Sequence, residues 1–130
     1  MTSPYTKVNL TEVEDSAVKF GYGHIGEARF ANDDLATEQT GISYHRLRPD
    51  ARQAFGHRHD EAEEVYLVVS GAGQVKLDEE IVDVAALDAI RISPGVVHAV
   101  KAGPEGLDLL AVGPRRPDDR GELLLDWWAD

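Results

Sequence analysis

Short hydrophobic runs recur along the chain, and each ends at a cluster of turn-forming residues. The run at 65–69 is rich in β-branched and aromatic neighbours and ends at Ser-Gly-Ala-Gly. The run at 74–77 alternates polar and apolar residues before an acidic turn at 78–80. Similar runs occupy 41–48, 81–84, 89–92, 96–100 and 107–112. Strand and turn signals at this close spacing, with no long helical pattern between them, predict an all-β sandwich or barrel.

The two flanks differ from this strand-rich centre. We expect residues 1–39 to form an N-terminal arm of short strands and turns that packs on a barrel core at 40–112. The arm includes a short strand-like run at 7–10 and a glycine-rich bend at 20–26. Residues 113–130 begin as a charged, proline-containing loop and end with Trp127 and Trp128. Because each indole can bury ~150–250 Å², we expect this tail to dock on the barrel or on a dimer partner.

Composition narrows the class of protein. A chain of 130 residues is long enough for one domain with a proper core. The net charge of −11 repels phosphate backbones, so nucleic-acid binding is not predicted. The sequence contains no cysteine, which excludes disulfides and thiolate metal sites. Since neither a long apolar run nor a signal-peptide pattern is present, we expect a soluble cytoplasmic protein without a membrane partner.

Candidate metal ligands cluster in front of the 65–69 run. His57 and His59 are two residues apart, so both imidazoles leave the same face of an extended chain. Glu64 follows at an odd offset, but the polar or small residues 60–63 can form a turn that resets the phase. A third imidazole, His98, follows the turn at Gly95. Two histidines and a carboxylate suit Fe(II), and a third histidine also suits Mn, Ni, Cu or Zn.

Other polar residues near this cluster have two interpretations. Glu63 is the rival of Glu64 as the oxygen ligand, and we expect it to point outward. His24 and His45 are not expected to be ligands. Tyr66 shares the face of Glu64, so it either lines the pocket and donates a hydrogen bond or is a core aromatic residue.

Further pocket candidates come from the alternation of side chains along the strands. Gln53 and Phe55 share the parity of His57, and Gln74 can face inward, so all three are candidates for the substrate pocket with Tyr66. Arg46 and Arg91 either bind an acidic substrate or lie on the outer face, and the outer face is favoured.

The two ligand-bearing segments resemble the paired motifs of the cupin superfamily, over roughly residues 40 to 112. In the first motif, His57, His59, Glu64 and Gly71 stand at the family spacing, with six residues between Glu64 and Gly71. In the second motif, Gly95 and His98 match.

The sequence departs from the family pattern at turn and frame positions. Asp50 or Ala51 replaces the opening glycine of the first motif, and Leu87, Ser93 and Ala102 replace a glycine, a proline and an asparagine of the second. These departures lie in turns and leave the fold prediction intact.

The resemblance implies a single-domain jelly-roll barrel, also called a double-stranded β-helix. It implies a divalent transition metal, one of Fe, Mn, Ni, Zn or Cu, held by His57, His59, Glu64 and His98. It also implies a homodimer, for which the apolar strand face of Val65, Leu67 and Val69 would suit a two-fold interface.

Three imidazoles and one carboxylate leave one or two coordination positions of a metal open. Such a metal can bind O₂ together with a bidentate enolate, or act as a Lewis acid on a carbonyl. We therefore predict a metal-dependent enzyme acting on a small organic molecule, a dioxygenase-type oxidoreductase with Glu64 and Tyr66 as catalytic residues.

Three alternatives stay open. The first is a metal-dependent isomerase or lyase, and the second is a non-catalytic cupin that binds a small ligand. The third is a metal-free cupin similar to sugar-nucleotide epimerases. This third alternative requires a catalytic His-Asp pair and a basic pocket. The acidic composition and the presence of all four metal ligands argue against it.

Overall fold

The structure, a computed structural model, describes residues 3–119, 121–125 and 127. Within these residues it contains eight strands and two short helices. The strands are β1 (Gly26–Phe30), β2 (Thr40–Leu47), β3 (Phe55–His59), β4 (Glu64–Leu77), β5 (Glu80–Ala85), β6 (Ala89–Ile92), β7 (His98–Pro114) and β8 (Gly121–Leu125). The helices are α1 (Ser16–Lys19) and α2 (Asn32–Leu35), and a 3-10 turn covers Leu10–Glu12.

Two long antiparallel strands organise the sheet. β4 pairs with β7 from Val65↔Val112 to Leu77↔His98. The other edge of β7 pairs with β2 and, at its first residue, with β3. The other edge of β4 pairs with β6 near its start and with β5 near its end. β1 extends the sheet beyond β2, and β8 extends it beyond β3. Because each long strand serves two sets of partners, the sheet curls on itself, and the predicted all-β cupin jelly roll is confirmed.

The curl is concentrated where the register of β4 and β7 shifts, between Val68 and Ser70 and between Gly71 and Gly73. Gly71 has a φ of +81°, a backbone conformation that side chains with a Cβ rarely adopt. A Cβ at Gly71 would also collide with the carbonyl oxygen of Gly106 on β7. The glycine predicted to end the 65–69 strand is therefore required for the bulge that bends it.

The core lies on the concave face of the curled sheet. Its buried hydrophobic side chains come from β2, β4, β5, β6 and β7, and they occupy alternate positions in parts of the long strands, as at Leu107, Leu109 and Ala111. They are Leu47, Tyr66, Val68, Val75, Val84, Ile92, Val100, Ala102, Leu107, Leu109 and Ala111. Burying side chains of this size contributes about 1.5–3 kcal/mol each for the aliphatic and aromatic residues, so the interior holds the strands in register around the site.

Three local predictions differ from the structure. The expected strand at 7–10 is replaced by the 3-10 turn Leu10–Glu12, because the side chain of Asn9 accepts a hydrogen bond from Thr11 N–H and caps that turn. The runs at 89–92 and 96–100 flank the turn at Gly95 and are expected from that turn to pair as a hairpin, but β6 and β7 each pair with β4 instead. The chain after 113 is more than a loop and a docked end, since β8 pairs with β3.

Trp127 packs on its own barrel. A Cβ added to Gly56 would lie 2.6 Å from Cγ of Trp127, so the indole rests directly on the backbone of β3. The ammonium group of Lys76 lies 4.2 Å from the centroid of the indole ring and donates a hydrogen bond of 2.8 Å to the Trp127 carbonyl. Trp128 lies outside the described residues. Among the helices of the described chain, none has the length and apolar character needed to cross a membrane.

Candidate metal centre

Four predicted ligands from three strands converge on one point. β3 supplies His57 and His59, the first residue of β4 is Glu64, and the first residue of β7 is His98. One ligand atom from each residue lies within 4.8 Å of the ligand atoms of the other three. Glu63, the rival of Glu64, lies outside this cluster, with a side chain that is 58% exposed and an oxygen 3.8 Å from Arg91.

Backbone pairing explains why the imidazoles meet. His57 and His98 are direct cross-strand partners on β3 and β7, and their ring centroids are 4.1 Å apart. His59 follows on the same face of β3. Gly95, with a φ of +87°, donates its N–H to the His59 carbonyl at 2.8 Å. This bond ties the turn before His98 to the strand that carries the other two histidines.

Glu64 bridges two of the histidines. Its Oε2 atom lies 3.2 Å from Nε2 of His59, and its Oε1 atom lies 3.2 Å from Nε2 of His98. The other ring nitrogen of His98, Nδ1, lies 3.0 Å from the carbonyl oxygen of Val96. A carbonyl only accepts, so Nδ1 carries a proton, and Nε2 faces the carboxylate either as a second N–H donor or as a lone pair. In the second case two acceptors face each other and require a proton or a metal ion between them.

The electrostatics favour the metal-binding forms of His57 and Glu64, whereas His59 would have to release a proton to bind a metal. Burial lowers the pKa of His57 to about 3, and the neighbouring His98 lowers it further, so this imidazole is neutral. Burial alone would raise the pKa of Glu64, but hydrogen bonds from His59 and His98 outweigh it and lower the pKa. The hydrogen bond to Glu64 raises the pKa of His59. A neutral imidazole and an ionised carboxylate are the forms that bind metal.

Asp119 is a buried acidic residue beside the ligands that no sequence pattern predicts. Its side chain is only 4% exposed, and its carboxylate accepts hydrogen bonds from the N–H groups of Asp60, Glu61 and Ala62 at 3.0, 3.2 and 2.8 Å. Burial acts to raise its pKa, and these backbone bonds outweigh burial and lower it. Asp119 thus fixes the turn that places Glu64 in phase with His59. No local pattern in the sequence links position 119 to this turn.

A cavity of about 440 Å³ opens beside the cluster. Its lining includes the ligands His59 and Glu64, together with Ser43, Asp119 and Phe30. The rest of the described lining is Asn32, Asp33, Gly41, Ile42, Ala62, Glu63, Ala111, Gly113, Pro114, Arg115, Arg116 and Pro117. A groove of about 380 Å³ elsewhere on the surface is lined by none of the four ligands. The cavity beside the histidines is therefore the candidate substrate site.

The predicted pocket residues have different positions. Tyr66 is buried, and its ring lies 5.4 Å from that of His98. Burial, then the charge of Glu64 and a hydrogen bond to it, raise the pKa of Tyr66, so its hydroxyl stays protonated. Gln53 accepts a hydrogen bond from Val100 N–H at 2.9 Å, and Phe55 packs edge-on against Tyr22 at 6.0 Å. The described lining of the cavity includes none of the three predicted pocket residues Tyr66, Gln53 and Phe55.

The structure does not bring Gln74 to the site. Its neighbour Val75 is 1% exposed and belongs to the core, so Gln74 faces the other side of the sheet. There its amide donates a hydrogen bond of 3.1 Å to Asp83 on β5. The expectation that Gln74 faces inward is wrong, because the bulges in β4 restore the inward phase at the odd-numbered Val75.

The other histidines and arginines lie outside the ligand cluster. His24 is exposed. His45 lies on β2, where its Nε2 atom is 2.8 Å from Oγ of Ser43. Arg46 pairs with Asp108 at 3.4 Å, and Arg91 pairs with Glu63, both through side chains that are at least 60% exposed. The expected position of these arginines on the outer face agrees with the structure.

A curled jelly roll with three imidazoles and a carboxylate beside a cavity defines a small β-barrel protein with a candidate metal centre. The family model described as "Cupin domain" matches residues 43–113, and the chain belongs to the cupin family. A search of curated proteins finds no match.

Solved structures show the same fold over most of the chain. A cupin protein from Bacteroides fragilis is 22% identical, with 96% of each chain covered and a TM-score of 0.72. A sugar phosphate isomerase from Silicibacter pomeroyi is 21% identical, with 92% of this chain and 82% of that chain covered and a TM-score of 0.74. A salicylate 1,2-dioxygenase from Pseudaminobacter salicylatoxidans is 19% identical, with 66% of this chain and 25% of that chain covered and a TM-score of 0.57.

Proposed function

We propose that this protein is a metal-dependent oxidoreductase of the dioxygenase type that acts on a small organic molecule. The metal is held by His57, His59, Glu64 and His98. The observation that carries the proposal is the contact between Nε2 of His98 and Oε1 of Glu64 at 3.2 Å. Since Nδ1 of His98 is committed to the Val96 carbonyl, this contact fits a cation shared by the two side chains.

The donor set fits a divalent transition metal. Three imidazole nitrogens and one carboxylate suit Fe, Mn, Ni, Cu or Zn, and four protein ligands leave coordination positions open on an octahedral ion. When bound, such a metal supplies Lewis acidity and, for a redox-active ion, a means of bringing O₂ and an organic substrate together. The wall of the cavity includes the two ligands His59 and Glu64, so a substrate in the cavity would lie next to a metal held by the four residues.

The groups around the predicted ligands orient the ligand side chains and hold their protons. The Val96 carbonyl fixes the tautomer and ring orientation of His98. Glu64 is held by the imidazoles of His59 and His98, so its carboxylate stays ionised and in place. Tyr66 keeps its hydroxyl proton beside Glu64, where it can donate a hydrogen bond. The cavity restricts water around a substrate, which strengthens these electrostatic interactions.

The comparisons support the proposal at the level of the fold. A salicylate dioxygenase and a sugar phosphate isomerase both carry it. The fold therefore accommodates more than one reaction type, and the reaction of this protein has to be inferred from the residues of its site.

One observation favours a metal-dependent isomerase as the second candidate. Two arginines, Arg115 and Arg116, line the cavity and would suit an anionic substrate such as a sugar phosphate. Arg115, however, already binds the carbonyls of Asn32 and Thr37 and the carboxylate of Asp33. Asp33, Glu63 and Asp119 add negative charge to the same cavity. The acidic lining makes the dioxygenase the better supported function.

Oxygen uptake tests the proposal. Protein loaded with Fe(II), and separately with Mn(II), is mixed with a panel of catechols, enols and 1,3-diketones, and dissolved O₂ is followed with an electrode. We expect uptake with at least one class of substrate, lost in His57→Ala and Glu64→Gln. Glu63→Gln is the matched control, because it makes the same change next to the ligand and retains uptake. Isomerisation of sugar phosphates without O₂ uptake would favour the second candidate.

A further inference from the structure

We propose that Ser43 and His45 form a proton-accepting pair on the wall of the cavity that binds and deprotonates a hydroxyl group of the substrate. This inference rests on the proposed function and narrows its substrate to molecules with an ionisable hydroxyl, such as catechols and the enols of diketones. Neither residue belongs to the predicted site, and His45 is excluded from the ligand set by its position.

The pair lies on the inward face of β2. Ser43 is opposite Ala111 on β7, and His45 is opposite Leu109, both of which are buried. Ser43 itself is 8% exposed and borders the cavity that also borders His59 and Glu64. Nε2 of His45 lies 2.8 Å from Oγ of Ser43. The hydroxyl therefore stands between the imidazole and the space next to the ligands.

Packing does not account for this pair. The cross-strand neighbours of His45 are Ala28 on β1 and Leu109 on β7, which are apolar. Its ring also packs edge-on against Phe30, a cavity-lining residue, with centroids 5.6 Å apart. Burying an imidazole and a hydroxyl among such neighbours costs free energy that an aliphatic pair would avoid. A role at the cavity explains why polar side chains occupy these two inward positions.

His45 is in the state that a proton acceptor requires. Burial lowers its pKa to about 4, so the imidazole is neutral at physiological pH. Its cross-strand neighbours carry no charge, and the titratable groups within electrostatic reach are Glu64 and His57. The negative charge of Glu64 acts to raise the pKa and burial outweighs it, so His45 is a weak base and passes the proton that it accepts on to solvent at neutral pH.

The proposed proton transfer involves three groups, the substrate hydroxyl, Ser43 and His45. The substrate hydroxyl donates a hydrogen bond to Oγ of Ser43, whose own proton points to Nε2 of His45. The substrate proton moves to Oγ as the Ser43 proton moves to Nε2. The products are a substrate oxyanion, a neutral serine and an imidazolium. No bond other than these O–H and N–H bonds changes, and no oxidant is consumed in this step.

The acidic side chains on the cavity wall already have hydrogen-bond or ion-pair partners. The carboxylate of Asp119 accepts three backbone N–H bonds, and that of Glu64 faces two imidazoles. Asp33 pairs with Arg115 at 2.6 Å, and Glu63 lies 3.8 Å from Arg91. The Ser43–His45 pair combines a neutral base with a position on the wall, so it is the group we assign to this task.

Binding of 4-nitrocatechol to the Zn(II)-loaded protein tests the proposal without turnover, because zinc has no redox chemistry and the absorption spectrum of the probe reports its ionisation. The full chain is compared with Ser43→Ala, His45→Gln and Ser43→Thr, the last of which keeps a hydroxyl. The control is Tyr44→Phe, which removes a hydroxyl on the opposite face of the same strand. Zinc content is measured separately for each protein.

We expect the wild type, Ser43→Thr and Tyr44→Phe to bind the ionised probe at pH 6.5. Ser43→Ala and His45→Gln should bind it about 10-fold more weakly, as expected for the loss of one hydrogen bond, and ionise it only at higher pH, with zinc content unchanged. Equal affinity and equal spectra in Ser43→Ala and the wild type would overturn the assignment and leave the proposed metal function standing. A wild type that binds zinc but not the probe overturns the substrate class, and a wild type that binds no zinc overturns both proposals.

Discussion

The Oδ2 atom of Asp119 lies 3.9 Å from Nδ1 of His59, while Nε2 of the same ring faces Glu64 at 3.2 Å. At this distance the carboxylate makes no hydrogen bond to the ring, but its charge raises the pKa of His59, and losing a group that supports a ligand imidazole costs roughly 10- to 100-fold in metal affinity. We predict a loss of that size for Asp119→Asn. The measurement is competition with a chromophoric chelator.

The control for this prediction is Asp118→Asn. Asp118 is exposed and adjacent in sequence, so the same chemical change there should leave metal affinity unaltered. If Asp119→Asn lowers the melting temperature but retains the wild-type dissociation constant for metal, then Asp119 stabilises only the turn at 60–62, and its role toward His59 is disproved.

His45 makes the stability of the metal-free protein depend on pH. Its pKa is about 4 in the folded state and about 6.5 in the unfolded chain, so between these values the unfolded state binds more protons. Stability is therefore lost as the pH falls through this window. The contribution of His45 between pH 7 and pH 5 is about 2 kcal/mol.

Urea unfolding of chelator-treated protein at pH 7 and pH 5 measures this effect. We predict that His45→Gln loses less stability between the two pH values than the wild type does. His24→Gln removes an exposed histidine and should behave as the wild type. The same pH dependence in His45→Gln and the wild type would show that His45 is not buried in its neutral form.

The side chain of Trp127 packs on β3 at Gly56, which precedes the predicted metal ligand His57. Because a Cβ at Gly56 would lie 2.6 Å from Cγ of Trp127, Gly56→Ala should displace the indole and destabilise the fold by about 1–3 kcal/mol. The readout is a red shift of tryptophan emission in a Trp128→Phe background. Gly41→Ala is the control, since its Cβ would meet its nearest neighbour at 3.4 Å. Unchanged emission in Gly56→Ala would contradict the packing of Trp127 on β3.

We predict that two copies associate through the outer face of the sheet. Val65 and Leu67 on β4 lie opposite Val112 and Leu110 on β7, which forms an outward apolar surface away from the core. Such surfaces are typical of interfaces between subunits. Leu67→Glu should convert a dimer into a monomer in sedimentation velocity experiments.

The control for Leu67→Glu is Ile81→Glu, which places the same charge at an exposed hydrophobic residue on β5 and should leave the dimer intact. A wild-type protein that sediments as a monomer at micromolar concentration would refute the prediction.

Residue spacing and the alternation of side chains along strands predict those features of the site that depend on neighbours in the sequence. The choice of Glu64 over Glu63 followed from the six residues before Gly71, and the bulge at Gly71 explains why that spacing matters. The phase change between His59 and Glu64 was predicted from the small and polar residues at 60–63. The inward position of Tyr66 followed from its two-residue offset from Glu64.

Long-range contacts were beyond the reach of the sequence. Asp119 reaches the turn at 60–62 only because the chain after β7 returns to it, and β8 pairs with β3 across more than 60 intervening residues. Gln74 was placed on the wrong face because the bulges in β4 change the alternation that the prediction assumed. The contact between His45 and Ser43 is local, since the two residues share one face of β2, but the position of Ser43 on the cavity wall depends on the fold.

Metal stoichiometry and affinity test the central claim most directly. The purified protein is stripped with chelator, titrated with Fe(II), Mn(II), Ni(II) and Zn(II), and its content is determined by mass spectrometry beside Glu64→Gln and Glu63→Gln. The account predicts close to one ion per chain for the wild type and Glu63→Gln, with affinity reduced at least 10-fold in Glu64→Gln. A wild type that holds none of these ions, or a Glu64→Gln variant that holds them as tightly as the wild type, would contradict it.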